Sequence, residues 1–526
     1  MSSNGNPMQR PNVLFIITDQ QRADHVGFAG NDVVRTPHID SIAARGTVFE
    51  NAWVANPVCM PNRSSIMTGR MPSAHGVIFN DRSLEWGANT FVRRFREVGY
   101  RTALIGKSHL QHGMSRTAAF EVDLRAAVDD PYEAGWNTLE HAERYLEGAP
   151  AFPDSFYGFS HVELAIDHGS RITGHHMRWA MERGATVEEL LVPLHDRCPG
   201  ERRHPDWWQI YRPTYDADLH SSRFVAERTA DFIEEATAAQ TPWLAWASFP
   251  DPHHPMCPPG EWFDRHRPAD IELPATIDDP LDGAPEHLKR LAGAHPSQQR
   301  SWVQPCGIAG DHDLARAAIA ATYGMIELID DCVGHILSAV DRAGATGDTI
   351  VVFTSDHGDM MGDHGLLLKG CMHYRGTLQV PMVIADPDQS PGRSASLASS
   401  IDLGPTLLEL AGLDPYDGIQ GISLVPLLTA STSAVRDYVL VEDDIPIAAR
   451  SWGDMPHKTR TLVASGMKYT RHSTGEDQLY DLDIDPDEMF QLCAADRSRR
   501  AEMVDVLAEA LIAADDVARG APVRSD

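Results

Sequence analysis

The sequence is poor in three things, and each absence narrows what the chain can do. No apolar run approaches the ~20 residues that cross a bilayer; the N-terminal "VLFIIT" is short and reads as a buried strand. The seven cysteines (59, 198, 257, 306, 332, 371 and 493) are scattered and odd in number. That argues against a disulfide framework and for a reducing compartment. Positive charge is also scarce: 45 Lys and Arg stand against 75 Asp and Glu in 526 residues, a net charge of −30. Such a field repels nucleic acid and anionic membrane surfaces, so neither is expected as a partner. A site for a small anion must therefore supply its own cations. No basic segment precedes a long apolar core and a small-residue cleavage site, as in a secretory signal. A cytoplasmic location is expected.

What is present is an alternation of strands and helices. "NVLFIIT", "RTALIGK", "PWLAWASF", "DTIVVFTSD" and "VPMVIAD" read as strands. "TPHIDSIAARG" reads as a helix with Thr36 as N-cap, Pro37 at its first position and Gly46 beyond its end. "NTFVRRFREVGY" and "SSRFVAERTADFIEEATA" are helices, and the apolar spacing of Ile319, Tyr323, Ile326, Val333, Leu337 and Val340 predicts a long helix over 314–343. This order predicts an α/β fold with a large, mainly parallel sheet sandwiched by helices. Near residue 435 the pattern changes to "RTLVASGMKYTRH", "DQLYDLDIDPDE" and a last helix. A catalytic domain over 1–434 and a small C-terminal antiparallel sheet with one helix over 435–526 are expected. Two long excursions, 112–220 and 250–312, shape either a site wall or a contact with another subunit.

In open parallel sheets ligands bind beyond the carboxyl ends of the strands. Asp19 and Gln20 follow the first strand, Lys107 and His109 the second, Asp251, His253 and His254 the third, Asp356 and His357 the fourth. Two carboxylates, an imidazole and an amide oxygen suit a divalent metal such as Ca²⁺, Mg²⁺ or Mn²⁺. Taken singly, Asp19 or Asp356 could equally cap a turn; recurrence at several strand ends favours a site.

The stretch "NPVCMPNRSSIMTGR" places Cys59 at the start of a short helix, with Arg63 one turn on. A helix N-terminus and a cation both lower a thiol's pKa, although a lone Cys is commonly a buried structural residue. Here "CMPNR" followed by "SSIMTGRMPSAHG" resembles the signature of the sulfatases, a branch of the alkaline phosphatase superfamily. The resemblance extends through "RPNVLFIITDQQRADHVGFAG", "TPHIDSIAARGTVFENAW", "GYRTALIGKSHL", "SDHGDMMGDHGLLLKG" and "LYDLDIDPDE".

The resemblance implies an alkaline phosphatase-like fold and conversion of Cys59 to formylglycine by a generating enzyme that binds transiently. A hydrated aldehyde carries two hydroxyls: one attacks sulfur or phosphorus, and the other can expel the resulting ester. A serine would lack that exit. By the same resemblance, Asp19, Gln20, Asp356 and His357 hold one divalent metal, Ca²⁺ or Mn²⁺, with converted Cys59. Arg63 orients the hydrate, Lys107 binds the anion and His109 takes a proton. His253 and Lys369 bind the substrate oxyanion and assist the leaving group. Asn80 matches a site position of the related phosphonate monoester hydrolases. Asp359, Asp363 and His364 are structural in the family, His254 reads as a neighbour, and Cys371, close to Lys369, reads as packing filler rather than a site-wall residue.

The pattern is a hybrid. Typical sulfatases read Asp-Asp and Asp-Asn where this chain has "DQ" and "DH", as phosphonate monoester hydrolases do, yet its Lys-x-His is sulfatase-like. The histidine ligand favours Mn²⁺. Asn62 stands where Ser or Ala is common, and Arg375 where many members have Glu. The expected activity is hydrolysis of organic sulfate monoesters. The alternatives are a phosphonate monoester or phosphodiester hydrolase with the same nucleophile, and an inactive binding protein of this fold. A homo-oligomer is compatible with the sequence.

Overall fold

The structure, a computed structural model, describes residues 10–112, 132–133, 135–146, 148–191, 201–299, 304–445 and 455–515. Its centre is a nine-stranded sheet. In chain order the strands are β1 (Asn12–Thr18), β2 (Thr47–Trp53), β3 (Arg101–Gly106), β4 (His161–Ile166) and β5 (Thr173–Gly174). They continue with β6 (Trp243–Ser248), β7 (Thr349–Ser355), β8 (Met382–Ala385) and β9 (Gly392–Ser399). Their spatial order is β9-β2-β8-β7-β1-β6-β3-β4-β5. Only β8 and β5 run against the others. The sheet is therefore mainly parallel, with an antiparallel strand inserted beside its centre.

β1 is apolar on both faces, and six of its seven residues are buried, as expected for a central parallel strand. Helices cover it: α1 (Pro37–Ala43), α2 (Cys59–Thr68), α3 (Phe91–Glu97), α4 (Ser221–Ala238) and the 31-residue α5 (His312–Arg342). α5 is capped by Asp311, whose side chain accepts from Leu314 N. Thr36 precedes α1 as expected, but its side chain makes no cap hydrogen bond. Its hydroxyl instead accepts from Gly27 N and donates to Asp40.

Register decides where the polar residues emerge. Thr18 pairs with Ser355, and Ile17 with Ser248, which also faces Gly106. The next residues, Asp19, Asp356, Phe249 and Lys107, thus leave four adjacent strands at one level. Asp19 N donates to Asp251 O, Asp356 N to Thr18 O, and Lys107 N to Ser248 O. Gly106 has a φ of +106°, and a Cβ there would lie 1.9 Å from Ser248 O. Only glycine lets β3 turn out beside β6 at this point.

The C-terminal part forms a four-stranded antiparallel sheet: β10 (Tyr438–Asp444), β11 (Lys458–Ala464), β12 (Met467–His472) and β13 (Asp477–Asp481). Helix α6 (Arg497–Ala514) lays Met503, Leu507 and Ala510 against Leu462, Tyr469 and Leu479. β10 adds a strand to those read from the sequence. Arg375 joins this sheet's margin to the main body: its backbone N–H donates to Glu488 and its Nη1 to Pro486 O. Parts of the first excursion, 113–131 and 192–200, lie outside the described residues. Within the rest, Trp207 is fully buried and donates to Gln299. Among the described residues, no helix is long and apolar enough to cross a membrane.

Candidate active site

Cys59 opens α2, directly after Val58, whose backbone is extended. All ten residues of α2 are buried, and Gly69 ends it in the left-handed region. Asn62 ties this helix to the sheet. Its Oδ1 accepts from Ala55 N and Ser400 Oγ, and its Nδ2 donates to Asp356 O. The residue that departs from the sulfatase signature is thus a buried three-way bridge.

The Cys59 thiol sits among the strand-end residues. Its Sγ lies 3.6 Å from Asp19 Oδ1, 3.1 Å from His357 Nε2 and 3.0 Å from Lys369 Nζ. Donor atoms of Asp19, Cys59, Asp356 and His357 all lie within 4.8 Å of one another, and all four residues are buried. Gln20 N donates to Asp356 Oδ1 at 3.1 Å, with Gln20 in the left-handed region. Its buried Oε1 has no hydrogen-bond partner among the described residues. A compact set of carboxylates, one imidazole and an unsatisfied amide oxygen fits a divalent cation.

Three cations surround this set. Arg63 is 1% exposed; its Nε donates to Asp356 Oδ2 at 2.7 Å, and its Nη1 to Lys107 O and Ser248 Oγ. Lys107 Nζ pairs with Asp19 Oδ2 and lies 2.7 Å from His168 Nε2. Lys369 Nζ is 3.0 Å from His357 Nε2. Burial alone would raise the Asp19 carboxyl, but the Lys107 ammonium foremost, with a hydrogen bond from His168 and the Lys369 ammonium, holds it well below the usual carboxylate range. Burial, and then the Lys369 ammonium, push His357 down to about 4. Asp251 lies behind the site, its carboxyl pushed up to about 8 by burial and by Asp19.

The imidazoles form a second rank. His253 stacks on His168 at 3.7 Å and on His254 at 4.0 Å. His109 is half-buried, 6.3 Å from the His168 ring, with its Nδ1 buried and unpartnered among the described residues. Burial and neighbouring positive charge push His109 and His253 well below the ordinary value, which favours the neutral form of both rings. Asn80 does not face Cys59 as a free amide, for its Oδ1 accepts from Met60 N at 3.0 Å. Of the residues read as structural, Asp359 accepts from Gln20 Nε2 beside the site, and the others are engaged elsewhere. Asp363 pairs with Arg22, His364 with Asp279, and Cys371 lies in an apolar cluster.

Two residues escaped the sequence reading. His168 follows β4, and the strand-end rule applied to "HVELAIDHGS" would have found it. Glu140 gives no local signal. It accepts from Ser108 Oγ and from the backbone N–H groups of His109, Leu110 and Gln111, and so clamps the Lys107–His109 loop from thirty residues away.

The same architecture recurs in proteins of known kind. The sequence pattern of the family described as Sulfatase matches residues 11–413, and that described as N-sulphoglucosamine sulphohydrolase, C-terminal, matches 362–516. An arylsulfatase of Clostridium perfringens is 30% identical over 96% of this chain and 94% of its own. A choline-sulfatase of Rhizobium meliloti is 25% identical over 92% and 82%. The solved structure of a phosphonate monoester hydrolase of Agrobacterium radiobacter superposes with a TM-score of 0.75 at 26% identity, covering 96% of this chain and 95% of that one. A central sheet that delivers its strand-end residues around a buried Cys-x-Pro-x-Arg, matched along three quarters of the sequence, leaves one assignment: the chain belongs to the sulfatase family of sulfuric ester hydrolases, in the alkaline phosphatase superfamily.

Proposed function

We propose that the protein hydrolyses organic sulfate monoesters by breaking the S–O bond, with residue 59 acting as formylglycine. The observation that carries this reading is the placement of Cys59 Sγ at a helix N-terminus, between Asp19, His357 and the Lys369 ammonium. Asp19, Gln20, Asp356 and His357 would hold one divalent metal, with Mn²⁺ favoured over Ca²⁺ by the imidazole. When present, the metal and the hydrated aldehyde supply a nucleophilic hydroxyl of lowered pKa.

The chain's own side chains then divide the remaining work. Arg63 holds Asp356 in place through its 2.7 Å ion pair. Lys107 and His253 bind the sulfuryl oxygens and counter the charge that builds on them. Lys369 stabilises the departing alkoxide. His109, whose Nδ1 is unpartnered among the described residues, accepts the proton whose loss releases sulfate. The overall balance is sulfate ester plus water giving alcohol and hydrogen sulfate. Residues 1–434 carry this chemistry, and 435–526 form a subdomain that buttresses the loop around residue 373 through His373 and Thr461.

A second reading, a phosphonate monoester or phosphodiester hydrolase, is favoured specifically by Gln20, His357 and Asn80 and by the likeness to the Agrobacterium enzyme. The test is a panel of aryl sulfate, phosphonate monoester and phosphodiester substrates, run with measured metal content on protein co-expressed with a formylglycine-generating enzyme. The sulfatase reading requires the sulfate to rank at or near the top; a sulfate slower than both phosphorus esters by a wide margin rejects it.

A further inference from the structure

Gln20 is the one member of the proposed metal-binding set whose two faces are chemically different. Its amide presents an oxygen on one side and two N–H donors on the other, and only the oxygen can serve a cation. The surroundings of the NH₂ group are therefore informative. Gln20 Nε2 lies 3.0 Å from His254 Nδ1 and donates to Asp359 Oδ2. These are two acceptors for two hydrogens.

Both acceptors are themselves fixed. Asp359 is fully buried, and its Oδ1 accepts from Met361 N at 2.8 Å and Leu368 N at 3.0 Å. His254 is buried and stacked against His253. On the opposite side, Gln20 Oε1 is buried with no hydrogen-bond partner among the described residues. A reversed amide would set its oxygen against the Asp359 carboxylate and turn NH₂ toward the other ligands.

We propose that Asp359 and His254 are positioning residues that lock the Gln20 amide with its oxygen toward the Asp19–Asp356–His357 donors. This inference rests on the reading of Gln20 as a metal ligand. It gives Asp359 and His254, which the sequence marked only as structural or neighbouring, a role in metal affinity.

The test uses Asp359→Asn, which keeps an oxygen for Met361 N and Leu368 N but turns an NH₂ toward Gln20. Two facing donors repel, so the Gln20 amide flips and offers nitrogen to the cation. The probe is Mn²⁺ added to metal-stripped full-length protein, followed by calorimetry and by the resonance spectrum of bound Mn²⁺. The expected result is affinity weakened about 10- to 100-fold, with the melting temperature of the metal-free protein unchanged. Gln20→Glu in the same background is oxygen on both sides, and the Asp359→Asn/Gln20→Glu double variant recovers tight binding. The inference is overturned if Asp359→Asn binds Mn²⁺ within twofold of the parent, or if the double variant does not recover. Gln20→Ala separates the two levels. If it weakens binding while Asp359→Asn does not, the orientation argument alone fails; if it has no effect, Gln20 is not a ligand and both fail.

Discussion

Arg63 offers the sharpest perturbation of the site. Its guanidinium is 1% exposed and makes three hydrogen bonds: to Asp356 Oδ2 at 2.7 Å, Ser248 Oγ at 2.8 Å and Lys107 O at 3.1 Å. Arg63→Ala leaves a fully buried carboxylate without its counter-charge. Breaking a buried pair by removing one partner costs about 3–5 kcal/mol. A divalent cation bound by Asp356 would replace part of that charge, so saturating Mn²⁺ should restore a share of the loss. Arg63→Lys keeps the charge but not the fork and should lose less. Turnover should fall by about 10²–10³-fold, as when one preorganised electrostatic contact is removed. Urea denaturation of metal-free and Mn²⁺-saturated protein, paired with kcat, measures both effects. If Arg63→Ala retains stability within about 1 kcal/mol of the parent, on the scale set for a buried pair, the ion pair is not what organises the site.

His25, His220 and His287 are buried and His75 and His175 half-buried; desolvation foremost pushes His25, His75, His175, His220 and His287 down to about 4, 3, 4, 3 and 4. The unfolded chain takes up these protons first. Stability should be complete above pH ~6.5 and fall toward pH 4, each histidine contributing about 1.4 kcal/mol per pH unit in that window; flat denaturation midpoints from pH 7.5 to 5 would contradict this. Glu140→Ala orphans three backbone N–H groups and the Ser108 hydroxyl, which should cost about 2–4 kcal/mol and reduce turnover at least tenfold by loosening Lys107 and His109; circular dichroism melts and kcat check it. Gly106→Ala puts a methyl 1.9 Å from Ser248 O at a φ of +106° and should yield little folded protein, judged by soluble expression.

The sequence announced the central strands because burial on both faces leaves continuous apolar runs, as in β1 and β6. It announced Asp19, Gln20, Asp356 and His357 because parallel strands deliver their next residues to one edge. Direction was less legible: Met382–Ala385 reads like any buried strand, and only the pairing with β7 and β2 makes it antiparallel. β9 was hidden because its partner, β2, is distant in the chain; β10 pairs with the next strand, β11, but its apolar run is short and ends in three carboxylates, Glu442, Asp443 and Asp444. His168 was readable by the rule already in use, whereas Glu140 was not, since a carboxylate accepting backbone N–H groups leaves no spacing pattern. Asn62 looked like a departure from a signature; in the fold it joins three buried polar groups. Asn80, expected at the substrate, accepts from the Met60 amide, next to residue 59, through its Oδ1.

All of the proposed chemistry depends on the identity of the reactive atom at position 59. Mass analysis of the tryptic peptide spanning residues 46–63 reads it directly. In protein co-expressed with a formylglycine-generating enzyme, the account predicts a peptide in which oxygen has replaced sulfur and two hydrogens are lost, with the converted fraction rising in proportion to sulfate-ester turnover. Full turnover from protein whose peptide still carries the encoded thiol would contradict it.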